Sequence, residues 1–147
     1  MSMQHIVPPA AKSLGYAGAL PFLAGALLAL PVFGVLRPFG LTLLLGYGAI
    51  ILSFMGGVHW GVAMAREDYD LARLARSVAP SIVALAAFVI GGAGGLVLLA
   101  SGFGGLLLYD EGETRAGRAP GWYPYLRRPL TATVAACLLV GAGAQLF

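Results

Sequence analysis

Two histidines, six carboxylates, nine lysines and arginines and one cysteine carry most of the ionisable chemistry in these 147 residues. Among them His59 stands apart. It lies in "SFMGGVHWGVAMARED", residues 53–68, between Gly57 and Gly61 and beside Trp60, with apolar sequence on both sides until Arg66. An ionisable group inside apolar sequence is costly and marks function, so His59 is a candidate haem ligand, proton relay or quinone contact. The alternative is packing. At ~1.5 Å per residue the ring lies about 10 Å from Arg66, near enough to a surface to stay neutral and bond a carbonyl or hydroxyl of a neighbouring helix. Depth favours that packing role.

The rest of the ionisable set adds little to His59. The other histidine, His5, is in the N-terminal arm. A bis-histidine haem would need that arm to fold back, or two chains to donate His59 each. No carboxylate or imidazole stands at helical spacing from His59, so no buried metal site is expected. Cys137 is alone, which excludes an intrachain disulfide and a multi-cysteine centre. There is no phosphate loop, nucleophile elbow, zinc spacing or dinucleotide fingerprint. No catalytic residue, cofactor or metal is expected on these grounds. Glu67, Asp68 and Asp70, and later Asp110, Glu111 and Glu113, read as solvated loop charges that pair weakly with nearby arginines. With no charge in the middle of any apolar run, proton-coupled or ion-coupled transport is disfavoured.

The elements that hold these residues follow from composition. The chain is 59% hydrophobic and 10% charged, with mean hydropathy +0.87. A soluble domain carries about 25% charged residues, so this chain cannot cover a water-facing surface. An all-α, polytopic membrane bundle forming one domain over residues 1–147 is expected, with the lipid bilayer as its first partner and no nucleic acid. The N-terminus, proline-broken and with a single Lys12, does not read as a cleavable signal peptide. Five spans are expected, over about 14–36, 41–65, 74–90, 95–109 and 130–146. Pro31 should kink or end the first. Residues 78–109 are too long for one span, and "GGAGG", 91–95, breaks them into a hairpin, either fully spanning or re-entrant. Five spans put Lys12, Arg66, Arg73, Arg76, Arg115, Arg118, Arg127 and Arg128 on one side and only Arg37 on the other. The positive-inside rule then puts the N-terminus in the cytoplasm or matrix and the C-terminus outside.

Two segments read as contact surfaces. Gly57 and Gly61, with Gly56 beside them, have the small-residue spacing that lets helices approach closely, so a helix of this chain or of a partner is expected there. Trp60 suits the headgroup level. In "WYPYLRRPLT", 122–131, the rings of Trp122, Tyr123 and Tyr125 suit the interface and Arg127 and Arg128 suit anionic headgroups. Pro129 suits the first turn of the last helix. The same segment is a candidate docking site for a partner subunit.

"GYGAIILSFMGGVHWGVAMA", "SVAPS", "LLLYD" and "WYPYLRRPLT" together resemble the domain-of-unknown-function 3429 family over about residues 15–140. The resemblance implies a small multi-span protein of bacterial inner or mitochondrial membranes. It singles out Gly56, Gly57, His59, Trp60, Pro80, Tyr109, Asp110, Trp122, Tyr123, Leu126 and Arg127, and it brings no activity with it.

The leading expectation is a non-enzymatic inner-membrane accessory or assembly subunit packing against a larger, electron-transfer complex, or against copies of itself. The alternatives are a small carrier or channel for a neutral or apolar solute, with His59 lining a cavity, and a membrane redox or lipid enzyme using His59.

Overall fold

The computed structural model describes residues 5–147, which fold as five helices: α1 (Pro9–Leu28), α2 (Arg37–Ala65), α3 (Leu71–Ile90), α4 (Gly92–Arg115) and α5 (Tyr123–Ala144). There is no strand among the described residues. Among the described residues four helical stretches are long and apolar enough to cross a membrane: Pro9–Leu28, Pro31–Ala65, Leu71–Ile90 and Gly92–Arg115.

Local chemistry sets the boundaries. α1 ends at Leu28, and Pro31 opens a short 3-10 segment, Pro31–Leu36, that joins it to α2. The first apolar run is therefore divided, because proline has no backbone donor to continue the helix. Asp70 caps α3 by accepting the Arg73 backbone N–H at 3.2 Å. α3 and α4 meet in a turn at Gly91 (φ +63°) and Gly92 (φ +55°), a conformation that glycine adopts without a Cβ clash.

Two ends differ from the sequence reading. α4 continues past Tyr109 to Arg115, so Asp110, Glu111 and Glu113 are helical and not loop residues. α5 starts at Tyr123, with Pro124 in its first turn, so Pro129 lies inside the helix and not at its start.

The helices pack antiparallel along their length. Arg73 meets Glu113 at one end of the α3–α4 pair. A Cβ on Gly102 would stand 3.2 Å from Val83 midway, and one on Gly95 would meet the Ala87 carbonyl near the turn. Gly92 lies beside Gln145, and Arg37 donates to the Ala144 carbonyl, so the turn, the start of α2 and the end of α5 share the opposite end. Phe22 and Phe103 meet edge-on at 6.0 Å in the centre, with Leu44, Leu52, Leu96, Leu99 and Leu138 fully buried around them.

Small residues make the seams. A Cβ on Gly40 would stand 2.7 Å from Leu28 backbone, and one on Gly56 2.8 Å from the Ser77 carbonyl and 3.0 Å from Pro80. Close approach supplies dispersion contact where the surroundings offer helices no hydrophobic gain from associating. The expected seam at Gly57 and Gly61 is not one among the described residues of this chain. Both face outward, and a Cβ on either would meet nothing within 4 Å.

Candidate functional site

The buried face of α2 reads Gly40, Leu44, Gly48, Leu52, Gly56, His59, Ala63, one stripe at helical spacing. That of α4 reads Leu96, Leu99, Phe103, Leu106, Asp110, Glu113. On α5, Arg127, Thr131, Val134, Leu138 and Gly141 form the third. The apolar part of each stripe fills the core. Toward the end opposite the α3–α4 turn, each gives way to polar side chains, and these meet.

Asp110 is at the centre, with no exposed surface. Its Oδ1 is 2.6 Å from His59 Nε2, and its Oδ2 accepts from Arg127 Nε at 2.7 Å. His59 and Arg127 are 6% and 5% exposed. Tyr109 closes over the imidazole edge-on, ring centroids 4.6 Å apart. A carboxylate held by a guanidinium only accepts, so the imidazole carries its proton on Nε2 and keeps Nδ1 for another partner.

A second buried carboxylate lies one turn further along α4. Glu113 accepts from Arg73 Nη1 at 3.0 Å and takes Arg118 in a two-pronged bond, Nε and Nη2 both at 2.8 Å. Arg73 also stands 2.6 Å from Asp68. The Glu113 bond holds the Arg118 guanidinium above its ordinary pKa. At the rim, Arg128 donates to Glu111 at 2.6 Å and Arg115 to the same carboxylate at 3.3 Å.

Three readings of the sequence change here. Asp110 and Glu113 are not solvated charges; they continue the buried stripe of α4. His59 bonds a carboxylate and not a carbonyl or hydroxyl. Arg127 turns inward to Asp110 and is not available to headgroups or a docked subunit, whereas Arg128 and Tyr125 are exposed and Trp122 and Tyr123 half-buried. Trp60 is exposed on the outer side of α2. His5 packs edge-on against Tyr125 at 5.2 Å, away from the partners of His59. Among the described residues no group of three His, Cys, Asp or Glu is placed to hold a metal.

The network borders two cavities. One of about 220 Å³ has His59, Val62, Glu113, Arg118, Trp122 and Tyr123 among its walls. The other, about 140 Å³ and apolar, has Arg127 at one end and Phe22, Phe54, Met55 and Phe103 around it. Of the buried polar atoms here, Tyr123 Oη, Tyr109 Oη, Thr131 Oγ1 and Arg127 Nη2 have no hydrogen-bond partner among the described residues. A histidine oriented by a carboxylate beside a cavity can accept a proton or hydrogen bond at its free nitrogen. The arginine fixes that carboxylate in place.

A family described as "Protein of unknown function (DUF3429)" matches residues 7–143. Transmembrane protein 69 of Xenopus tropicalis is 36% identical over 140 residues, covering 92% of this chain and 54% of that protein. The chain thus spans about half the length of that curated relative. No solved structure matches.

Proposed function

This chain belongs to the DUF3429 family, and from that premise we propose that it is a five-span protein of the bacterial cytoplasmic or mitochondrial inner membrane, serving as a non-enzymatic accessory or assembly subunit. That it is a membrane protein rests on its apolar helices and on the likeness to a transmembrane protein. The fifth span is α5, and eight basic residues toward one end against Arg37 at the other support an N-terminus in the cytoplasm or matrix and a C-terminus outside.

One observation carries the accessory reading: the outer face of α2 and α3 is grooved and lacks a partner helix. Gly46, Gly57 and Gly61 meet nothing there. Two shallow apolar grooves follow the α2–α3 seam. One, of about 670 Å³, is bordered by Trp60, Leu74, Val78 and Ile82. The other, of about 530 Å³, is bordered by Ala49, Ser53, Ser81 and Leu85. Small residues with a hydroxyl on each side suit the close approach of a further transmembrane helix, such as one of a respiratory or photosynthetic electron-transfer complex. Asp110 and Arg127 are buried on the inner side of the bundle and have no part in that face.

The test is a photo-crosslinking residue in place of Gly57, followed by purification of the full chain in mild detergent from its own membranes. Discrete adducts with another membrane subunit are expected. Gly57→Leu and Gly61→Leu should lose that subunit while unfolding at the unaltered temperature. A chain that elutes alone, with no adduct, rules the reading out.

A further inference from the structure

The cavity beside His59 has features that the docking reading does not use. Its volume, about 220 Å³, is below the ~300–1,000 Å³ of ordinary ligand pockets, so it suits a single substituted ring better than a nucleotide or a folded cofactor. Pro120, Trp122 and Tyr123 give it flat walls, and the last two rings stand edge to face at 5.9 Å. Such walls favour a planar guest.

Charge narrows the guest further. Asp110 is paired with Arg127, Glu113 with Arg73 and Arg118, and Asp68 with Arg73. Three carboxylates face three guanidiniums, so with a neutral imidazole the network is balanced. A charged guest would enter a poorly solvated site with no counter-ion waiting, and that desolvation is unfavourable.

Two hydrogen-bonding groups of the wall residues suit such a guest. Tyr123 is on the wall, and its hydroxyl, shut off from solvent, has no partner among the described residues; it can donate to a carbonyl oxygen. His59 has Nε2 committed to Asp110, so Nδ1 is its remaining acceptor for a hydroxyl.

We propose that this cavity binds the head of a neutral ring compound bearing carbonyl or hydroxyl oxygens, of the quinone and quinol class, drawn from the surrounding lipid. Tyr123 donates to the oxidised head, and His59 accepts from the reduced one. Binding requires no partner subunit and is separable from the docking face on α2 and α3.

Trp122 is on the cavity wall and Trp60 on the outer groove. In a Trp60→Phe background, Trp122 is the sole indole and reports directly. The full chain in lipid nanodiscs is titrated with decylubiquinone. Saturable quenching of Trp122 is expected. Tyr123→Phe should weaken binding roughly 3- to 10-fold, as for one neutral hydrogen bond. Ala119→Phe, which fills the cavity without removing a polar side chain, should abolish it, and Val62→Phe does the same from the α2 side if Ala119→Phe unfolds. Quenching that rises linearly with the quinone-to-lipid ratio overturns the proposal, because it reports collisions in the bilayer. Saturation that the filled variants leave untouched overturns it as well.

Discussion

Asp110 uses both carboxylate oxygens, one for His59 and one for Arg127, and has no exposed surface. Removing one member of a buried pair strands the other, at a cost of about 3–5 kcal/mol. Asp110→Asn and Arg127→Met should therefore each lower the unfolding temperature in detergent strongly. The double variant should lose less than the sum, because neither charge is then left alone. Additive losses would mean that the pair is not coupled. Arg127→Lys should behave like a loss, since an ammonium lacks the planar fork that places Nε on the carboxylate. Arg128→Ala, which breaks a half-exposed pair with Glu111, should leave the midpoint within experimental scatter. The contrast tests adjacent arginines that look equivalent in "YLRRPL".

At the scale of elements, α2 has two faces of small residues with different roles. Gly56 meets α3 backbone at 2.8 Å, whereas Gly57 meets nothing. Gly56→Ala should push α2 and α3 apart and lower stability by about 1–3 kcal/mol. Gly57→Ala should change it by less than about 0.5 kcal/mol. Equal effects in a thermal unfolding series would mean that the seam is misassigned. The same logic of faces explains the acidic end of α4. Leu96, Leu99, Phe103 and Leu106 are followed at the same three- and four-residue steps by Asp110 and Glu113. That continuation is visible in the sequence. Reading the helix as ending where its apolar residues end hides it, because polarity alone does not say whether a carboxylate meets water or an arginine on another helix.

For the whole molecule, the α3–α4 hairpin runs the length of the bundle, from Arg73 and Glu113 to the turn beside Gln145. If all five helices cross the bilayer, the connection after α4 and the chain's last residues face opposite sides. In a Cys137→Ser background, Gly117→Cys should react with a membrane-impermeant maleimide only from the cytoplasmic or matrix side, and Leu146→Cys only from the other. Labelling of both from one side would remove either α5 or the hairpin from the span count.

The helical membrane class, the glycine break at 91–95 and the segregation of basic residues are legible in the sequence. They depend on composition and short-range spacing, and the bilayer turns both directly into structure. His59, Tyr109, Asp110 and Arg127 are legible only as separate positions of interest. Their convergence belongs to the tertiary structure alone: the network joins residues on three helices, and its contacts depend on the rotation of α2, α4 and α5 about their own axes. In α2 that rotation puts Gly56 inward against α3 backbone and Gly57 outward; in α5 it makes Arg127 an internal counter-ion and Arg128 a surface one.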